Sequence, residues 1–278
     1  MLYRFRTYDA EGRNATDSQT VHNMLDGMLA FASIENFNDP FEGRPQAIAA
    51  HEDASEQRKA FEKYIRQVCK SRKLPPGQAR KYAHNIIRGR TQAEIVEIVG
   101  TMYQELLYQE DIQVCCFSGE QALASPLTWA HYADSHRGVA IHYDGTKFPI
   151  AFAQPVRYSE SYPQIVVPRT AQDPWDAVVA GLLTKSKAWD YEWESRLLRI
   201  NIDDGTRDPR FADLGVRWLG QSAILPAGVV TGITLGARMS DANKEFLTDL
   251  VTRAHPDMEI LESSLHRSKY EIGRHRIR

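Results

Sequence analysis

The spacing of apolar residues changes period along this chain, and that change limits what it can fold into. From about residue 54 to 110 the pattern is helical, broken at Pro75-Pro76-Gly77 and again at Gly89. The last piece sets Ile95, Ile98, Val99, Met102 and Leu106 at helical spacing. From residue 112 the runs are short, β-branched or aromatic, at 112–117, 138–143 and 229–235, with strict alternation over 192–202. At the N-terminus, residues 2–6 alternate apolar and basic, so a strand there carries Tyr3 and Phe5 on one face and Arg4 and Arg6 on the other. Asp17-Ser18 offers caps for a helix through Met28, and further helices are expected at about 127–133, 175–183 and 240–254. No regular βα repeat emerges. The order predicts an α+β fold, a single domain over 1–278 with a mixed, mostly antiparallel sheet core and a helical insertion at about 52–110.

Composition narrows the class. At 42% hydrophobic and 25% charged the chain can bury a core and lacks the signature of disorder. No apolar run approaches the roughly 18–20 residues a membrane helix needs, and residues 1–6 lack the organisation of a signal peptide, so a cytoplasmic protein with no membrane partner is expected. The three cysteines are too few for a disulfide framework, and Cys115 and Cys116 read as buried thiols pointing to opposite faces of a strand. No metal is expected, because His131 and His136 are five apart with no cysteine pair nearby. There is no Walker loop, no Gly-x-Gly-x-x-Gly and no nucleophile elbow.

A formal net charge of -2 hides a strong local asymmetry. Between Arg58 and Arg90 stand eleven basic residues and one acid, Glu62. On a helix, Phe61, Tyr64, Ile65 and Val68 face the domain, leaving a wet basic face that includes Lys63, Arg66 and Lys70. A segregated basic face on an otherwise acidic chain predicts RNA or DNA as a partner, held through phosphates. Solvated charges paired with acids elsewhere are the alternative.

Two motifs carry candidate chemistry. In the segment 185–196, a strand would line Glu192, Glu194 and Arg196 on one side and Trp193, Ser195 and Leu197 on the other. Arg196 is placed to hold one carboxylate charged while the other keeps a raised pKa, an arrangement suited to a carboxylate that binds a sugar hydroxyl or takes a proton. An exposed strand with a salt bridge along it is the plainer reading. In the segment 125–138, Trp129, His131 and Tyr132 on a helix would present an imidazole beside an aromatic wall, or form part of the core. The turn at Phe37-Asn38-Asp39-Pro40-Phe41-Glu42 reads as structural, anchored by its two phenylalanines.

Four motifs together, Phe37-Asn38-Asp39-Pro40-Phe41-Glu42, Cys116-Phe117-Ser118, Trp129-x-His131-Tyr132-Ala133-x-x-His136-x-Gly138 and Lys185-x-x-x-Trp189-x-Tyr191-Glu192-x-Glu194-x-Arg196, closely resemble a bacterial family known as domain of unknown function 2971. That resemblance implies no activity. The order of Arg4 or Arg6, then Phe117-Ser118, then Glu192-x-Glu194 is also similar to that of mono-ADP-ribosyltransferases. This second resemblance implies an ADP-ribosyltransferase-like fold that uses NAD, with Glu194 as the catalytic carboxylate and Glu192 as its partner. It further implies Arg4 or Arg6 on the cofactor's phosphate or ribose and Ser118 bracing the glutamate. Trp129 or Tyr132, beside His131, would then form the nicotinamide wall. The sequence departs from that family's Ser-Thr-Ser signature, since Gly119 follows Ser118. The rival class is a non-enzymatic nucleic-acid or effector-binding module of a bacterial stress or defence system.

Overall fold

The computed structural model describes residues 1–9, 15–71, 74–108, 112–168, 175–200 and 216–278. The chain divides into two compact units, one of Met1–Ser33, Asp111–Tyr158 and Lys187–Arg278, the other of Ile34–Glu110 and Ser159–Ser186.

The first unit is built on a mixed sheet with nine strands among the described residues. Its order is Ile272–Arg276, Glu259–Leu265, Val230–Leu235, Val139–Tyr143, Leu2–Arg6, Ile112–Ser118, Glu194–Ile200, Gln154–Pro155, with Ala32–Ser33 also paired to Ile112–Ser118. Val230–Leu235 and Glu259–Leu265 pair in parallel, as a strand–helix–strand crossover through the helix Asp241–Ala254 requires. The sheet's other pairings are antiparallel. The class is therefore α+β with a large mixed sheet.

Alternation assigns the two faces. Leu247 and Val251 of the crossover helix and Val21, Met24 and Leu25 of the helix Ala15–Leu25 cover one face, packing on Cys115, Phe117, Ile141, Tyr143, Leu197 and Ile233. On the other face Tyr3, Phe5 and Ala140 pack with Leu123, Trp129 and Ala133. Val139–Tyr143 is buried at every position because both its faces are covered, which is why it reads as a near-continuous apolar run.

The second unit holds the helices Ala54–Ser71, Pro76–Ile87 and Gln92–Leu107, as the period and the Pro75-Pro76-Gly77 and Gly89 breaks predict. Phe61, Ile65, Ala83, Ile87, Ile95 and Val99 form its core with Ile165 and Val167. The last two come from Gln164–Val167, which pairs in parallel with Gln46–Ala49. This unit thus extends beyond the helical segment to take in residues 34–53 and 159–186.

Three local expectations change. Ser18 lies inside its helix rather than capping it, and its hydroxyl bonds the backbone of Asp9 instead. Phe41 is exposed and so is no buried anchor, while Asp39 accepts the Phe41 N–H at 2.9 Å, the Asx geometry that shapes the turn. The alternating strand does not begin at Glu192. Lys187–Glu192 forms a 3-10 helix and the strand is Glu194–Ile200, with residues 201–202 outside the described ones. Trp193 joins the two in the left-handed region at φ 49°, a break that period-two spacing does not reveal.

Candidate functional site

The first unit's polar row is set by register. Tyr3 pairs with both His142 and Ser118, and Ser118 pairs with Glu194. Residues directly opposed on an antiparallel ladder share a face, so His142, Tyr3, Ser118 and Glu194 cross four strands in line, with Cys116 and Arg196 paired in the next row. The strand carrying Glu194 therefore lies beside the one ending at Ser118, with both side chains on one face.

Glu194 is 5% exposed and Glu192 3%. Arg196 donates to both carboxylate oxygens of Glu194, Nε at 2.7 Å and Nη2 at 3.1 Å. This two-pronged contact fixes the plane of the carboxylate. The backbone N–H of Glu194 donates to the Tyr158 hydroxyl at 2.8 Å. Glu192 takes a separate role: displaced from the strand by Trp193, it accepts the Tyr132 hydroxyl at 2.5 Å. The two carboxylates thus do not share one strand face, contrary to the alternation, and each has its own donor.

Burial sets the neighbouring proton states. The Cys116 thiol is pushed well above its ordinary range, chiefly by burial, with Glu194 adding to the shift and Arg196 opposing it, so it is no thiolate nucleophile at neutral pH. Cys115 and Cys116 are free thiols on opposite faces. His142 is held down to about 3 by burial and then by Arg274, leaving a neutral ring 2.7 Å from the Thr234 hydroxyl. Burial also raises Tyr3.

The segment 125–138 divides between core and surface. Trp129 is 0% exposed, donates its indole N–H to the Leu123 carbonyl at 2.9 Å and meets Phe5 edge-on, so it is core and no ligand wall. His131 is exposed and lies about 6 Å from the rings of Tyr132, Trp189 and Tyr191, forming an aromatic cluster at the surface. The turn ending this helix holds Asp134, Ser135 and His136 at positive φ. Gly138 follows where a Cβ would fall 2.1 Å from the Arg6 carbonyl, so no other residue fits without moving the Leu2–Arg6 strand.

Arg4 and Arg6 do not join this row. Arg4 pairs with Ile141 and lies over the Phe117 ring, which places both arginines on the sheet face opposite Ser118 and Glu194. Alternation alone separates them from Tyr3, so an arginine on the phosphate of a ligand held by Glu194 is not the arrangement found. Tyr3 and Tyr158, which sequence reasoning passed over, stand at Ser118 and Glu194 instead.

In the second unit, Lys63 and Arg66 are exposed on the helix Ala54–Ser71, and Arg66 pairs with Glu62 at 2.7 Å. Lys70 belongs to the same helix, and its side chain lies outside the described residues. Arg58 donates to the carbonyls of Ile87 and Arg90, and Arg90 to those of Asn85 and Ile86, so two cations of the basic block close a helix end. Lys185 forms a buried ion pair with Glu42 at 3.5 Å, joining two of the quoted motifs, beside a recess of about 380 Å³ that Lys185, Arg44 and Tyr162 help to line. Among the described residues no three His, Cys, Asp or Glu side chains gather as a metal site would need, and no helix is long and apolar enough to cross a membrane.

Compared with family models, curated proteins and solved structures, the chain has no match.

Proposed function

We propose that the face carrying Ser118 and Glu194 performs ADP-ribosyltransferase-like chemistry with NAD as donor. The supporting observation is the register that opposes Glu194 and Ser118 while Arg196 grips the carboxylate. The residues fit the donor's ribose: a buried carboxylate and the hydroxyls of Ser118, Tyr3 and Tyr158 are acceptors and donors for sugar hydroxyls. NAD supplies a bond between ribose and nicotinamide whose breaking leaves positive charge on the sugar. Glu194 contributes a fixed negative charge, oriented in advance by Arg196, where such charge develops. Tyr132 holds Glu192 in place at 2.5 Å. The ring surfaces of His131, Trp189 and Tyr191 take the stacking role that buried Trp129 cannot. Arg4 and Arg6 have no part in this reading. Incubating the whole chain with NAD and measuring free nicotinamide and ADP-ribose tests it: with no other acceptor present, water takes the ADP-ribosyl group at the carbon the nicotinamide leaves, so steady release of both is expected, and no release above the uncatalysed rate overturns it.

A second reading, a nucleic-acid-binding module, attaches to the other unit. Its support is the outward stripe of Lys59, Lys63 and Arg66 at helical spacing, opposite the buried Phe61 and Ile65, with Lys81 exposed on the helix Pro76–Ile87 and Arg88 exposed at that helix's C-terminal cap. Phosphate contacts by such a stripe give affinity that falls steeply with salt. In a filter-binding titration, reversing Lys63, Arg66 and Lys70 to Glu is expected to weaken RNA or DNA binding for all sequences alike. Absence of binding at low salt overturns this reading.

A further inference from the structure

Arg4 and Arg6 are turned toward an apolar core with no acidic partner among the described residues. Arg4 is 8% exposed, its guanidinium 5.8 Å from the centre of the Phe117 ring and a long 3.5 Å from the Ala30 carbonyl. Arg6 is half-buried and donates to the carbonyl of its neighbour Phe5 at 3.0 Å. Among the described residues the groups that act electrostatically on these guanidiniums are Cys115, Cys116, Tyr143 and the other arginine, with no carboxylate among them. Tyr143 completes the cluster. It is fully buried against Phe117 with ring centres 5.2 Å apart, and its hydroxyl has no hydrogen-bond partner among the described residues.

Burying a cation beside a like cation and an unbonded phenol is costly unless something absent from the bare chain answers all three. A phosphoryl group does so: its double negative charge balances two guanidiniums, and its several oxygens accept from both forks and from the phenol O–H. A carboxylate balances one arginine and leaves the other. We propose that Arg4, Arg6 and Tyr143 form a binding site for a phosphoryl group, reached from the half-exposed Arg6 side. The two guanidiniums shift in opposite directions: the pKa of Arg6 is lowered to about 10, chiefly by Arg4 and then by burial, whereas that of Arg4 is raised, burial being opposed by Cys115, Tyr143 and Cys116. The site lies on the sheet face opposite Glu194 and does not rest on the NAD reading.

Isothermal titration of the whole chain with inorganic phosphate, pyrophosphate and ADP, at constant ionic strength, tests the proposal. At least one is expected to bind, and Tyr143→Phe and Arg6→Gln each to weaken that binding about tenfold, the scale of one hydrogen bond to a charged group. Tyr143→Phe removes a hydroxyl that bonds nothing among the described residues, so its fold is kept, and circular dichroism checks this for both variants. Comparable affinities for pyrophosphate and ADP assign free phosphoryl groups, and a clear preference for ADP assigns a nucleotide; both sustain the site. Binding of none of the three, or binding that both substitutions leave unchanged, overturns it.

Discussion

Glu194 stands directly opposite Ser118 on the neighbouring antiparallel strand, its carboxylate held by Arg196 at 2.7 and 3.1 Å. The pair is buried, so its geometry carries weight in stability as well as chemistry. Arg196→Met leaves the Glu194 carboxylate buried without its fork and is expected to cost about 3–5 kcal/mol in urea denaturation. The double variant Glu194→Gln with Arg196→Met is expected to recover part of that loss, because it no longer strands a charge. A loss well below 1 kcal/mol in the single variant would mean that water reaches the pair.

The contact between Tyr132 and Glu192 makes a separate prediction. Tyr132→Phe removes one hydrogen bond to a buried carboxyl and is expected to destabilise the chain by about 1.5–3 kcal/mol. The midpoint of denaturant unfolding reads this directly, and an unchanged midpoint contradicts the 2.5 Å contact.

How much of this was legible in the sequence can be read from single residues. Alternation in residues 2–6 correctly divides Tyr3 and Phe5 from Arg4 and Arg6, because side-chain period is local. Which face meets Ser118 is fixed by register with a distant strand, so the chain order Arg, Ser, Glu gave no sign that Arg4 points away. Glu192 left the strand through one backbone angle at Trp193, a choice that hydrophobic spacing does not record. Trp129 had two readings in the sequence, and Phe5 decided for the core by packing edge-on against it.

Stability should depend on pH through His142. Its folded pKa is lowered from 6.5 to about 3, so the unfolded chain binds the proton more readily. The contribution is fully present above about pH 6.5 and is lost progressively as pH falls toward 3, with a slope of at most about 1.4 kcal/mol per pH unit. Denaturation curves across that window are expected to show the loss, and His142→Gln to flatten it. Equal slopes in both proteins contradict the buried neutral ring.

Trp193 is 52% exposed at φ 49°, so its side chain loses little on truncation while its backbone is strained. Trp193→Gly is expected to be more stable than Trp193→Ala by about 1 kcal/mol, since glycine alone adopts that region freely. A more stable alanine variant, measured by thermal or urea unfolding, contradicts the left-handed junction.

The central claim is that Glu194 supplies the charge on which NAD cleavage depends. Glu194→Gln keeps the side-chain shape and removes that charge, and the direct measurement is the single-turnover rate of nicotinamide release at saturating NAD for the wild type and this variant. The predicted result is a loss of about a hundredfold or more with NAD affinity little changed. Release by the variant at the wild-type rate would contradict the account.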